Sequence, residues 1–405
     1  MAVSQQPQVD PHKDQETCVV DHVDYQEDLK PVDERRQPDK FGSVDKVDPK
    51  EIALVKKLDL YLMPILWVMY FLNFLDRNAI VNGKLNDLDK DLNMVGSQYN
   101  TCVSIFFVGY ITGQIPSNML VTRVKPAWYM SGWMMAWAVV STLICIVKDY
   151  HGMLACRLIL GITEAPFYSG ACYMRQLAHD RVAKDTTEKR QATSTWSGLW
   201  EAATDYRTWV FALMGNLHLS ANGFKNYMPT AVKSLGFNTT ITLVLTCPPY
   251  LIAGAASVLV SWSSGRYNER TWHITVSKIV ASIGFAVATS TMNIGARYFA
   301  MVLFVGATYG VNNINVAWTA ATVGQTDEKK AAAIAMVNTL GNLSFVYTPY
   351  LWPESDSPLF RKAMIASIGF SMGVVMTAWL MKFILVRMNR QIRTTQEEAT
   401  NFYAY

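Results

Sequence analysis

The chain has 405 residues, 51% hydrophobic and only 17% charged, against roughly 25% charged in an average soluble protein. Its net charge of +4 is small and scattered, which excludes the dense basic face of a nucleic-acid binder. Six cysteines occur without a Cys-x-x-Cys pair, and no P-loop, His-Glu-x-x-His or Gly-x-Ser-x-Gly motif is present. The expectation is therefore no enzyme, no metal site and no cofactor.

In chain order, residues 1–57 are rich in Asp, Glu, Lys and Gln, which predicts a disordered cytoplasmic tail. A helix needs about 20 apolar residues to cross a bilayer. Ten such runs follow, near 58–80, 98–121, 127–147, 152–174, 208–231, 241–262, 272–293, 296–319, 331–351 and 363–386. They predict an all-α polytopic membrane protein. Four of the runs lie within 58–174 and six within 207–386. A charged cytoplasmic linker over 175–206 separates them, with an amphipathic end at Trp196 and Trp200, and 387–405 form a cytoplasmic tail. Lys and Arg favour the joints that face the same side as both termini, so both termini are expected in the cytoplasm. Asn238-Thr239-Thr240 would then be an external glycosylation sequon. Trp128, Tyr129, Trp133, Tyr350 and Trp352 stand where rings favour the bilayer interface.

Charge inside a span costs about 2.5–3.5 kcal/mol per residue on insertion scales. Three places carry it: Asp76-Arg77 in "YFLNFLDRNAI", Arg157 and Glu164 in "RLILGITEAPFYSG", and Lys225 in "NLHLSANGFKNYMPT". Arg157 and Glu164 are seven apart and share a helical face. Asp76 and Arg77 are adjacent and must diverge. Either Arg157 and Asp76 form an ion pair that docks two helices, or a carboxylate exchanges a proton while an arginine grips an anion. Asp76, Glu164 and Arg157 are the candidates for proton coupling. Arg77, Lys225, Asn222, Asn226 and Asn342 are the candidates for substrate binding. Gly109, Gly113 and Pro116, the asparagines at 312, 313 and 315, and Asn338, Gly341, Asn342 and Pro349 fit close helix packing and the broken helices that line transporter sites.

The stretches "LDLYLMPILWVMYFLNFLDRNAI", "GYITGQIPSNMLVTRVKPAWYM", "RLILGITEAPFYSG", "TDYRTWVFALM" and "AIAMVNTLGNLSFVYTPYLWP" resemble the anion:cation symporter family of the major facilitator superfamily. Within it they most resemble the fungal allantoate and nicotinate permeases. The resemblance implies two six-helix bundles working by alternating access, and proton symport of a small organic anion, such as allantoate, nicotinate or another nutrient acid, across the plasma membrane. It implies coupling carboxylates at Asp76 and Glu164, an anion-binding Arg77 and a substrate-contacting Asn342. The partners implied are the anion, protons and the lipid bilayer. Against twelve spans in that family, Met174 runs straight into a charged joint, so a truncated major facilitator fold lacking the fifth and sixth helices is expected. The alternative is a non-transporting truncated isoform, a nutrient sensor or an incomplete gene model.

Overall fold

The computed structural model describes residues 49–121, 126–183, 195–324, 327–395 and 403. The regular elements among them are helical: α1 Pro49–Leu85, α2 Leu88–Asp91, α3 Gln98–Val121, α4 Pro126–Leu143, α5 Tyr150–Ala183, α6 Thr195–Thr204 and α7 Tyr206–Ala221. They continue with α8 Met228–Lys233, α9 Thr239–Tyr267, α10 Thr271–Ser290, α11 Ile294–Val323, α12 Asp327–Asn342, α13 Ser344–Tyr347 and α14 Arg361–Thr395. Each predicted apolar run falls on helix, with several adjustments at the ends. Helix α1 starts at Pro49, inside the predicted tail, because proline suits the first helical turn and no breaker follows until the span; residues 1–48 lie outside the described residues. Helices α5 and α14 run past Met174 and Val386, since charged residues end a hydrophobic run but not a helix.

Two predicted spans are interrupted. Helix α7 gives way to a one-turn 3-10 segment, Gly223–Asn226, before Pro229 opens α8. Helix α12 stops at Asn342 and passes through α13 into the 3-10 turn Thr348–Leu351. Side-chain caps begin other helices. Asn238 Oδ1 accepts from Ile241 N at 2.8 Å, and Asn293 Oδ1 accepts from Ala296 N at 3.1 Å. Asn238, the predicted sequon residue, is thus an N-cap.

Among the described residues, five helical stretches are long and apolar enough to cross a membrane by length and composition: Trp128–Ile146, Thr239–Tyr267, Thr271–Ser290, Ile294–Val323 and Arg361–Thr394. Their outer faces bear Leu251, Val258, Leu259, Trp262, Ile365 and Phe383, all exposed. Apolar surface on this scale needs hydrocarbon against it.

The N-terminal half is built on α3 crossing α5. There the backbones meet at Gly109 and Gly161. A Cβ on Gly161 would lie 2.1 Å from the Phe106 carbonyl oxygen, and one on Gly109 would lie 2.2 Å from that of Leu158. Only glycine permits that approach. The C-terminal half has its own core of Phe211, Met214, Ile314, Trp318, Val374 and Met381. A second core joins the halves through Phe107, Phe345, Tyr227 and Trp352. Tyr227 stacks on Trp352 at 5.3 Å, and Phe107 meets Phe345 at 4.6 Å. Trp352 is therefore buried, not an interface ring; Tyr350 remains exposed. Polar ties close the same end: Tyr227 donates to Asn100 Oδ1 at 2.7 Å, and Lys233 donates to the Leu85 carbonyl at 3.2 Å. Thr101 and Tyr350 hydroxyls lie 3.3 Å apart.

At the opposite end, Asp205 caps α7 by accepting from Arg207 N at 3.0 Å. It also takes the Arg207 guanidinium at 2.9 and 2.6 Å, and Lys329 Nζ at 2.9 Å. The Arg207 guanidinium reaches Tyr403 Oη at 3.3 Å, and Asn389 exchanges two hydrogen bonds with the Tyr403 backbone, each 2.9 Å. Burial by itself would raise the Asp205 carboxyl, but the hydrogen bonds from Arg207 and Lys329 outweigh it and hold it at about 2 instead of the usual 3.8. A carboxylate whose pKa falls on folding adds stability above its unfolded pKa and loses it as pH falls through the folded one. The stability difference between wild type and Asp205→Asn should therefore be full above about pH 4 and shrink between about 3.8 and 2. Thermal melting of both proteins in detergent across that window reads it; a constant difference would contradict the network.

Candidate functional site

Adjacent residues on a helix diverge, and α1 uses this at Asp76-Arg77. Asp76 Oδ1 accepts from Ser141 Oγ of α4 at 2.6 Å. Arg77 turns the other way and pairs with Glu164 of α5. Its guanidinium lies against three rings of α3, with centroids at 5.2 Å for Phe106, 5.8 Å for Phe107 and 5.2 Å for Tyr110. Cation–π contact steadies a charge in a site where little water competes.

Arg157 is not placed as the docking-pair reading expects. It is buried at 3% exposure, and its Nε has no hydrogen-bond partner among the described residues. Asp76 lies within its electrostatic reach, yet among the described residues the two form no ion pair. Asp76 Oδ1 accepts from Ser141 and its Oδ2 is buried without a partner among the described residues, so the docking pair with Arg157 is not formed. Glu164 likewise pairs with Arg77 from α1, not with Arg157 on its own helix.

The C-terminal half supplies Lys225 from the Gly223–Asn226 break. Its Nζ sits 3.8 Å from the Phe345 ring centroid, within electrostatic reach of Arg77 and Glu164. The broken helix explains the placement, since an unbroken one would have carried Lys225 along a regular face. Asn222 caps α7, with its amide nitrogen 3.0 Å from His218 Nε2 and its Oδ1 unpartnered among the described residues. Asn226 is buried, and its Nδ2 is unpartnered among the same residues. Asn342 donates to the Asn338 carbonyl one turn earlier at 2.8 Å. Thr339 of α12 donates to Gln114 of α3 at 2.9 Å and ties the halves at this depth.

The structure thus brings Asp76, Arg77, Arg157, Glu164 and Lys225 into one electrostatic neighbourhood between the halves. By formal charge, three cationic side chains meet two carboxyl groups there. Sequence reasoning missed the aromatic lining. Phe106, Phe107 and Tyr110 read as ordinary apolar residues of a span, and only their spacing around Gly109 could have marked a tight face. It also missed Lys278 of α10, which is fully buried with no partner for its Nζ among the described residues.

A profile described as Major Facilitator Superfamily matches residues 66–177. A transporter of Schizosaccharomyces pombe is 26% identical, over 84% of this chain and 88% of its own length. The high-affinity nicotinic acid transporter of Saccharomyces cerevisiae is 22% identical, over 84% of this chain and 79% of its own. Among solved structures, a bacterial homologue of the human lysosomal transporter Spinster, inward-facing and unoccupied, superposes with a TM-score of 0.62 at 12% identity. It covers 84% of this chain and 99% of that one. The nucleoside transporter NupG gives 0.55 at 12% identity, over 80% and 98%. The fold is the major facilitator fold, and the relatives support a membrane transporter of that type, which is not an enzyme.

Proposed function

We propose that the chain moves a small organic anion together with a proton by alternating access, with Arg77 and Lys225 gripping the anion and Glu164 carrying the proton. The observation that supports this most is the Arg77–Glu164 pair, with Lys225 in the same electrostatic neighbourhood. While Glu164 is ionised, it occupies Arg77. A proton on Glu164 removes that competitor, and a second positive charge becomes free for a carboxylate. Proton and anion then favour each other's binding, which is the linkage that symport requires. Asp76 is the second coupling carboxylate, and Arg157 is the buried cation that senses it. Asn222, Asn226 and Asn342 complete the polar lining.

Closure of the end bearing Leu85, Asn100, Lys233 and Tyr350 fits one state of an alternating cycle. With both termini cytoplasmic and the protein in the plasma membrane, that closed end faces outward. The nicotinic acid relative agrees with a carboxylate substrate. The test is uptake of radiolabelled nicotinate, allantoate and pantothenate into proteoliposomes with and without an inward proton gradient. At least one is expected to accumulate against its gradient only when protons flow inward. Equilibration to the same level in both conditions, for all three, overturns the proposal.

A second reading, a non-transporting truncated product, is favoured by one observation. The S. pombe alignment is 432 positions long but covers 84% of 405 residues, about 340, so about 90 positions have no residue here. Helix α5 ends at Ala183 and α6 begins at Thr195, and residues 184–194 are too few for two further spans. Sequencing the transcript across Met174–Arg175 decides it. A messenger carrying two further apolar spans there removes the truncation.

A further inference from the structure

A small cavity of about 10 Å³ lies between α1, α4 and α5, beside Glu164 and lined also by Asn73, Trp137, Thr163 and Phe167. That is about the smallest space that admits one water. Three of its lining residues carry buried polar atoms without a partner among the described residues: Asn73 Nδ2, Trp137 Nε1 and Glu164 Oε2. All three residues are at least nine-tenths buried. In hydrocarbon each such atom costs free energy unless something satisfies it.

We propose that this cavity binds a single water molecule, held by Asn73 and Trp137, which donates a hydrogen bond to Glu164 Oε2 and favours its ionised form. The valences match. Water accepts two hydrogen bonds, and the cavity offers two donors for them, the Asn73 amide and the Trp137 indole N–H. Water donates two, and Glu164 Oε2 is one free acceptor. Thr163 Oγ1, which donates to the Leu160 carbonyl at 3.0 Å, supplies a second acceptor. Glu164 then has two distinct faces. Oε1 meets Arg77, and Oε2 meets the water, away from the side where Arg77 and Lys225 would hold the anion.

The charged groups around Glu164 are Arg77 and Asp76 from α1, Arg157 from α5, and Lys225 from the break after α7. Helix α3 offers Phe106, Phe107 and Tyr110. Helix α4 offers Ser141, which Asp76 occupies. Within this set the water meets Oε2 while Arg77 keeps Oε1.

The site rests on the proposed reading of Glu164 as the titrating carboxylate, but its test needs no transport. Infrared difference spectra of the purified protein across a pH titration should show a carboxyl C=O band that vanishes in Glu164→Gln. They should also show, for wild type in D₂O, a water O–D band that titrates with it and shifts in D₂¹⁸O. In Trp137→Phe, one donor to the water is gone and the carboxylate is less well solvated. The C=O band should then appear at higher pH by about one unit, as for partial loss of a hydrogen bond to a charged group. Asn73→Ser should move it in the same direction. Absence of an ¹⁸O-sensitive band that follows Glu164 overturns the site, and so does an unmoved C=O titration in both variants. The wild-type bands decide the matter even if a variant does not fold. A protein that shows these bands yet accumulates no anion would sink the transport reading and leave the water site in place.

Discussion

Glu164→Gln is expected to yield a folded protein that still exchanges its anion between equal concentrations but no longer concentrates it along a proton gradient. Glutamine keeps the shape of the side chain and an oxygen for Arg77, but it cannot take or release a proton. The neighbourhood is then fixed with the extra positive charge that protonated Glu164 would give it. The anion binds, and nothing couples its release to pH. Gradient-driven accumulation should fall by about tenfold or more, while counterflow of preloaded substrate continues; tenfold corresponds to ~1.4 kcal/mol of lost coupling. Full accumulation by the variant would move the proton elsewhere. Asp76 is the other carboxylate in reach, and Asp76→Asn would then become the decisive variant.

The second large effect is structural. Gly161→Ala should lower the melting temperature by several degrees, and Gly161→Leu should leave little monodisperse protein. The reason is the approach of α5 to α3, where a Cβ at 161 would sit 2.1 Å from a backbone oxygen that cannot move aside alone. Overpacking in a close-packed interior costs about 1–3 kcal/mol and sometimes more. In a bilayer, where helix association depends on packing, little offsets that cost. Separating α3 from α5 also lifts Phe106, Phe107 and Tyr110 away from Arg77, so transport should fail before folding does. Gly132→Ala and Gly254→Ala are the controls, because a Cβ at either meets nothing within 4 Å. Size-exclusion chromatography and thermal melting in detergent read all four. Equal melting of Gly161→Ala and Gly254→Ala would contradict the crossing.

Much of the helical plan could be read from the chain because hydrocarbon imposes a length. A run such as 272–293 must span or be buried, and α10 and its neighbours fall where the runs do. The Asp76-Arg77 divergence was equally legible, since adjacency on a helix dictates it. What was not legible is pairing across helices. Arg157 and Glu164 share a face, yet Glu164 bonds to Arg77, a choice made by how α1 packs on α5. Trp352 read as an interface ring because its local pattern is the same whether it faces headgroups or stacks on Tyr227. The polar atoms of Asn73 and Trp137 carried no signal at all, since one asparagine and one tryptophan in a span are ordinary until a cavity joins them. The 175–206 joint read as charged linker, but α5 continues through its start and α6 forms at its end.

The most direct test of the coupled mechanism is simultaneous recording of carboxylate and proton movement. Wild-type proteoliposomes carrying a pH-sensitive dye inside would be given external nicotinate, allantoate or pantothenate without any imposed gradient. The account predicts that at least one of these acidifies the lumen faster than in protein-free vesicles, in step with its own entry, and that Glu164→Gln abolishes the acidification while anion exchange persists. Anion entry with no accompanying protons, or no protein-dependent flux for any of the three, would contradict it.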